Sequence, residues 1–138
     1  MSPHLFASMQ FRDVERAVVF LTAVGFTEAA TYRDDDGVVV HAEYHWRESG
    51  GLMFGADRGR TGDDEWRDTV GAGSCYCVAV DEDDVRRIHD AALAAGATSV
   101  RAPAEPDYGG LECAVRDAEG NQWSFGTYAG AAGVPQGG

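Results

Sequence analysis

Five consecutive residues, His41-Ala42-Glu43-Tyr44-His45, offer the clearest chemistry in the sequence. They fall in a predicted strand, where residues two apart project from the same face, so that His41, Glu43 and His45 align. Two imidazoles and a carboxylate are a suitable ligand set for a divalent metal ion, and Glu43 or His41 could instead act as a general base. However, alternate residues of a strand lie about 7 Å apart, so the three side chains converge poorly on one ion. The pattern therefore favours a polar or ligand-binding face, with a metal site or acid–base chemistry as alternatives.

The cysteines and serines give weaker indications of function than the segment from His41 to His45. Cys75, Cys77 and Cys113 are odd in number and have apolar neighbours, which is typical of reduced thiols rather than of a disulfide framework. The spacing of Cys75 and Cys77 is too short for a zinc knuckle. Ser74 and Ser124 lack the sequence context of a nucleophile elbow, and the glycines form no phosphate-binding motif.

The acidic composition restricts the partners. The sequence has 23 acidic and 11 basic residues, which gives a formal net charge of −12. Nucleic acids and anionic membranes carry phosphates that a binding protein must neutralise, so this charge disfavours both. Three acidic clusters, at 34–36, 63–65 and 81–84, lie between periodic segments. They are interpreted as solvated loops, with attraction of a cationic ligand as the alternative.

The sequence contains no apolar run that approaches the roughly 20 residues needed to span a bilayer. Residues 1–4 also lack the basic and apolar regions of a secretory signal. We therefore expect a cytoplasmic protein.

The candidate residues lie on elements that occur twice in the chain. A strand runs into Asp13, a predicted helix N-cap, and the helix that follows ends at Gly25. A second strand runs into Asp84, the predicted cap of a second helix, which ends at Gly96. Asp84 and Gly96 each follow their counterparts by 71 residues (84 − 13 and 96 − 25). Three further strands are predicted after each helix, at 27–33, 38–46 and 51–55 and at 98–102, 111–116 and 122–128.

The sequence thus predicts an α+β fold in which two βαβββ modules form one pseudo-symmetric domain over residues 1–128. Module 1 spans about 4–57, a linker about 58–73 and module 2 about 74–128. Residues 129–138, which are rich in glycine and alanine, are predicted to form a flexible tail.

Paired βαβββ modules with acidic helix caps resemble the vicinal oxygen chelate superfamily, which includes glyoxalase I, extradiol dioxygenases, fosfomycin-resistance enzymes and bleomycin-resistance proteins. The most specific segment is 115–128, where the turn Asp117-x-x-Gly120-Asn121 precedes Trp-Ser-Phe-Gly-Thr-Tyr. Residues 40–43 and 107–110 also resemble the glyoxalase/bleomycin-resistance-like branch. The resemblance implies two curved sheets that form an open cleft, and a homodimer whose cavities are lined by both modules.

Enzymes of that superfamily bind a divalent metal through His, Glu or Gln from strands of both modules. Carried onto this sequence, the ligand positions fall at Phe6, Cys75 and Ser124 and within 51–55. A phenyl ring cannot ligate, a serine hydroxyl is a poor donor, and a lone thiolate does not build a site. We therefore expect no metal or other cofactor, with a divalent metal at a displaced site as the alternative.

The same alignment assigns the residues of a ligand-binding cleft. Tyr108, in the loop before the seventh strand, could close over the cleft, whereas Trp123 and Phe125 are expected in the core. Trp46 could lie in the core or in a dimer interface, and Trp66 could contact the ligand or anchor a loop. The candidate ligand-binding residues are Phe6, Ser8, Gln10, His41, Glu43, His45, Cys75, Cys77, Tyr108, Gln122 and Ser124.

This mixture of apolar and neutral polar groups is typical of a binding pocket. The leading hypothesis is a metal-independent small-molecule-binding protein, a homodimer that sequesters a cationic drug or secondary metabolite. One alternative is a glyoxalase-like lyase or isomerase that uses a displaced metal or metal-free acid–base chemistry, with His41 and Glu43 as its catalytic candidates. Another is a paralogue whose role lies in protein association.

Overall fold

The computed structural model describes residues 3–57 and 70–131. Trp66, the acidic cluster at 63–65, most of the predicted linker and most of the predicted tail lie outside the described residues. The predicted limits of linker and tail therefore stay predictions.

Each half of the chain forms one four-stranded sheet with one helix. The first half contains β1 (Phe6–Phe11), α1 (Val14–Val24), β2 (Phe26–Arg33), β3 (Val39–Trp46) and β4 (Gly50–Ala56). The second half contains β5 (Ser74–Val78), α2 (Glu82–Ala94), β6 (Thr98–Ala104), β7 (Glu112–Arg116) and β8 (Gln122–Gly126). No helix of the described residues is both long and apolar enough to cross a membrane.

The two sheets have the same topology. The strand order is β1-β4-β3-β2 in sheet 1 and β5-β8-β7-β6 in sheet 2. In each sheet the first strand is parallel to the last strand of its module, and the other neighbours are antiparallel. The predicted α+β fold of two βαβββ modules is confirmed.

One of the two helices begins where the sequence predicts, and the other does not. Asp13 caps α1 as predicted, because its side chain accepts a hydrogen bond from the backbone N of Arg16. The predicted cap of α2, Asp84, is wrong. Asp81 caps this helix instead, and it accepts a hydrogen bond of 2.8 Å from the backbone N of Asp84. The caps are therefore 68 residues apart (81 − 13), which makes Ser74 rather than Cys75 the counterpart of Phe6.

One hydrophobic core joins the two modules on the helix side of both sheets. Its apolar members alternate along the strands with more exposed residues, as expected where one face of a sheet is buried. Aromatic rings connect the modules, because Trp123 contacts Phe26 with ring centroids 5.6 Å apart and Phe125 contacts Trp46 at 5.6 Å. Trp123, Phe125 and Trp46 thus belong to the core, and none of the described helices or strands covers the opposite face of either sheet.

The turn between β7 and β8 is organised by the Asp117 carboxylate. It accepts hydrogen bonds from the backbone N of Glu119 (2.9 Å) and Asn121 (3.0 Å) and from Nε1 of Trp123 (3.0 Å). Gly120 has a φ of 102°, in the left-handed region that favours glycine. The Asp-x-x-Gly-Asn motif is therefore structural: it closes the turn and satisfies the buried indole.

Polar contacts also connect the modules. The Glu119 carboxylate accepts hydrogen bonds from the backbone N of Arg12 (2.6 Å) and Asp13 (2.8 Å), at the end of β1. Nε1 of Trp46 donates to the backbone O of Val78 over 2.9 Å. The modules are thus held together by both apolar packing and directed hydrogen bonds.

Candidate functional site

The face of sheet 1 that points away from the helices carries most of the predicted site. Strand pairing places Ser8 and Glu43 beside Met53, and Phe6 and His45 beside Gly51. We call this surface the sheet-1 open face. Its members are Phe6, Ser8, Gln10, His41, Glu43, His45, Gly51, Met53 and Gly55. Six predicted site residues are therefore brought together on one surface.

Glu43 and His45 form the closest polar pair of the sheet-1 open face. Oε2 of Glu43 lies 2.6 Å from Nε2 of His45, and each side chain is about 30% exposed (29% and 30%). The third member of the motif, His41, stacks on Tyr32 with ring centroids 6.1 Å apart. The pair thus converges more closely than strand spacing predicts, while His41 has a separate partner.

Glycines shape the floor of the same face. The Phe6 ring lies directly over Gly51, where a Cβ atom would collide with it. At the other end, Gln10 lies beside Gly55, where a Cβ atom would approach the backbone O of Val40 to 2.7 Å. The predicted site did not include these glycines, although two glycines within a strand are a signal of close approach.

Gln10 contributes a buried hydrogen-bond acceptor. Its side-chain Oε1 has no hydrogen-bond partner among the described residues. Buried polar atoms are seldom left unpaired, since the lost hydration costs about 1–3 kcal/mol. A ligand with an N–H or ammonium group would satisfy this atom.

The corresponding face of sheet 2 is lined by Gln122, Ser124 and Tyr76, because Tyr76 pairs with Ser124 across β5 and β8. The Tyr76 hydroxyl donates to the backbone O of Tyr128 over 2.8 Å. Burial, with the nearby Tyr108 and Glu112, raises the pKa of Tyr76 to about 12. We call this surface the sheet-2 open face, and the sequence analysis did not include Tyr76 in it.

Tyr108 lies at the rim of the sheet-2 open face. Its hydroxyl donates to Oε2 of Glu112 over 2.6 Å, and its ring contacts that of Tyr128 with centroids 5.2 Å apart. The hydrogen bond to Glu112, with partial burial and the carboxylate charge, raises the pKa of Tyr108. In this structure Tyr108 packs on Tyr128, so closure over a ligand stays a prediction.

The prediction that Cys75 and Cys77 share a face with Gln122 and Ser124 is wrong. The two cysteines pair with Trp123 and Phe125 and therefore project to the helix side of sheet 2. The predicted register counts five residues back from Val80 as the end of the strand, whereas β5 ends at Val78 and the caps are 68 residues apart. The counterpart of Phe6 is therefore shifted by one residue, which exchanges the faces of the strand. Counting back from Asp81 identifies Tyr76, and not its neighbours, as a member of the sheet-2 open face.

Both cysteines line a cavity of about 710 Å³ between the modules. Its walls include Ala7, Phe26, Trp46, Leu52, Cys75, Cys77 and Trp123. We call this the inter-module cavity. Gly51 and Tyr76 also line it, so the cavity adjoins both open faces.

Comparison with known proteins identifies the family. The model of the Glyoxalase/Bleomycin resistance protein/Dioxygenase superfamily matches residues 3–125. The chain belongs to this superfamily. No curated protein matches the sequence.

Solved structures of the same fold include other superfamily members. TioX from Micromonospora sp. ML1 is 26% identical with a TM-score of 0.68, over 89% of this chain and 96% of that chain. The bleomycin resistance determinant encoded on transposon Tn5 is 17% identical with a TM-score of 0.60, over 91% and 98%. A glyoxalase/bleomycin resistance protein/dioxygenase family enzyme from Burkholderia phytofirmans PsJN is 19% identical with a TM-score of 0.65, over 88% and 94%.

The metal that the superfamily resemblance implies does not fit the residues present. With the corrected register, its ligand positions fall at Phe6, Ser74 and Ser124. None of these side chains is an imidazole or carboxylate, which are the ligands that divalent metals of superfamily enzymes require. Among residues 3–57 and 70–131, no three His, Cys, Asp or Glu side chains are grouped so that they could hold an ion.

Proposed function

We propose that this protein binds a small molecule without a metal ion and sequesters a cationic drug or secondary metabolite. The observation that carries this proposal is the presence of a carboxylate and an unpaired amide oxygen on the sheet-1 open face. Its central polar groups are the Glu43 carboxylate and the unpaired Oε1 of Gln10, and both accept hydrogen bonds. A ligand that supplies N–H groups and positive charge is complementary to them.

The negative charge of the protein favours a cationic ligand both at contact and over longer distances. At contact, the half-buried Glu43 carboxylate is screened less by salt than an exposed one. Over longer distances, the formal net charge of −12 increases the local concentration of cations. Phe6 and Met53 add apolar surface on either side of Ser8, so the face also suits the ring or alkyl portions of an amphipathic ligand.

The proposal includes a homodimer in the cytoplasm. Residues 3–57 and 70–131 leave the open faces uncovered, and β1 and β5 are edge strands, so a second copy could complete the site. Members of this superfamily often dimerise, and the free thiols of Cys75, Cys77 and Cys113 support a reducing compartment. Sedimentation equilibrium is expected to give twice the chain mass of 14.7 kDa, and a monomer at micromolar concentration would contradict this part.

Equilibrium dialysis of chelator-treated protein against a panel of cationic metabolites, a bleomycin-type glycopeptide included, tests the proposal. We expect saturable binding, which Glu43→Gln weakens about tenfold, equivalent to about 1.4 kcal/mol for a charged hydrogen bond. Glu15→Gln is the matched control, because Glu15 is an exposed carboxylate whose ion-pair partner is Arg33. Absence of saturable binding across the panel, or equal loss in both variants, would contradict the proposal.

The close Glu43–His45 pair favours a second candidate, metal-free acid–base catalysis by a lyase or isomerase. A carboxylate that holds an imidazole in one orientation is a recurrent arrangement for proton transfer. The panel separates the candidates, because an enzyme would convert a ligand to product whereas a sequestering protein returns it unchanged. Mass spectrometry of the dialysed ligand, with His45→Asn as the variant, distinguishes these outcomes.

A further inference from the structure

Cys75 and Cys77 form a pair of thiols that the proposed ligand site does not use. Both side chains project from the helix side of β5 into the inter-module cavity. Cys77 is buried and Cys75 is half-buried, and the two residues are two apart on one face of β5. The pair projects from the side of sheet 2 opposite to the sheet-2 open face, and the inference drawn from it does not depend on the function proposed above.

The spacing of the pair favours a bridging ion over a disulfide. Residues two apart in an extended strand have Cα atoms about 6.6 Å apart. This is close to the upper limit of about 6.8 Å for an unstrained disulfide. Both cysteines are free in the structure. An ion held between two sulfur atoms spans a wider gap than an S–S bond does, and so fits the strand without distorting it.

The donor set determines which ion suits the pair. Thiolates are soft ligands that favour Cu(I), whereas magnesium, calcium and manganese prefer oxygen. A structural zinc site needs four ligands, but no third His, Cys, Asp or Glu of the described chain is grouped with the two cysteines. The surrounding walls are apolar, with Trp46 and Trp123 among them. Two soft ligands in an apolar cavity suit an ion that accepts two-fold coordination.

A cation at the cavity rim balances the charge of such a site. Two thiolates with one monovalent ion carry a net charge of −1, and Arg47 lines the same cavity. Its guanidinium stacks over the Trp46 ring at 4.4 Å and pairs with Asp84 at 3.0 Å. Arg87 also pairs with Asp84, so two guanidinium groups share this carboxylate, and Glu48 is the acidic residue that lines the cavity beside Arg47.

We propose that Cys75 and Cys77 form a two-coordinate thiolate site for the soft monovalent ion Cu(I). Binding forms two S–Cu bonds and releases the two thiol protons to solvent, with no change in oxidation state. Because each sulfur must lose its proton to bind the ion, the affinity of the site for Cu(I) is expected to fall as the pH is lowered.

Anaerobic titration with the coloured Cu(I)–bicinchoninate complex tests this site, because transfer of the ion to the protein bleaches the complex. We expect one Cu(I) per wild-type chain, and at least tenfold weaker binding in Cys75→Ser and in Cys77→Ser. Cys113→Ser is the matched control, since Cys113 is a buried thiol of β7 that does not line the cavity. Absence of uptake by the wild type, or equal losses in Cys75→Ser and Cys113→Ser, would overturn the proposal.

A second measurement needs no variant, which matters because changing the buried Cys77 could unfold the chain. Wild-type protein is alkylated with iodoacetamide, with and without prior loading with Cu(I), and the modified residues are mapped by mass spectrometry. Loading is expected to slow the alkylation of Cys75 at least tenfold, whereas an equal concentration of Zn²⁺ leaves it unchanged. Equal alkylation rates with and without Cu(I) would refute the site.

Discussion

Asp84 is a buried carboxylate that pairs with two arginines. Its side chain is buried, yet it accepts a hydrogen bond of 2.9 Å from the backbone N of Val80 and pairs with Arg47 and Arg87. Burial alone would raise the pKa of Asp84, but the Val80 N–H and the two guanidinium groups together lower it below its ordinary 3.8. The ionised carboxylate therefore stabilises the folded chain, and it links module 1 to the start of α2.

Asp84→Asn is predicted to destabilise the protein in a pH-dependent way. Because the pKa is lowered on folding, the stabilisation is complete above the unfolded value and is lost as the pH falls through the folded one. We expect the free energy of unfolding to fall by about 1–2 kcal/mol at pH 7. This lies near the lower end of the range for a hydrogen bond to a charged group, because Arg87 is solvent-accessible. The difference should shrink as the pH falls below 3.8. Urea unfolding between pH 2 and 7 measures it.

The control for this experiment is Asp83→Asn in the same helical turn. Asp83 is 95% exposed and pairs at the surface with Arg86, so its loss should cost no more than about 0.5 kcal/mol. A difference between Asp84→Asn and wild type that stays constant over the whole pH range would contradict the account.

At the scale of elements, the sequence predicts which residues share a face of a strand wherever residues of the two faces alternate without interruption. The period of two in β1 and β3 places six site residues, from Phe6 to His45, on the sheet-1 open face. The contact between Glu43 and His45 was not predictable, since it depends on side-chain rotamers and not on strand spacing. In β5 the predicted register was wrong by one residue, because the strand ends at Val78 and not at Val80. The start of α2 was also mispredicted, since Asp81 and Asp84 are both good caps and only the contacts of Asp84 decide between them.

The link between the β7–β8 turn and the end of β1 yields a prediction at this scale. Glu119→Ala removes the acceptor of the backbone N–H groups of Arg12 and Asp13. We expect a loss of about 1–2 kcal/mol in the free energy of unfolding, because two hydrogen bonds to a charged group are replaced by water. Glu105→Ala, a change of an exposed carboxylate in the loop before β7, is the matched control. Equal stability of the two variants in urea would contradict this role.

At the scale of the whole molecule, both modules bury their helix sides in one core and leave two faces open. The superfamily scaffold is thereby kept, while Phe6, Ser74 and Ser124 occupy the positions at which the superfamily resemblance implies metal ligands. Acceptor groups remain on the sheet-1 open face, and soft thiols remain in the inter-module cavity. The arrangement therefore supports binding of a cationic molecule more directly than metal-dependent catalysis.

Metal dependence of ligand binding tests this account most directly. A cationic ligand found by the dialysis panel is titrated calorimetrically into chelator-treated protein, and again after addition of Ni²⁺, Zn²⁺, Mn²⁺ or Fe²⁺. The account predicts the same Kd in all samples, within about twofold, since the proposed contacts involve only side chains. Binding that appears only with a stoichiometric metal, and that is lost in His41→Ala or Glu43→Ala together with the metal, would contradict it.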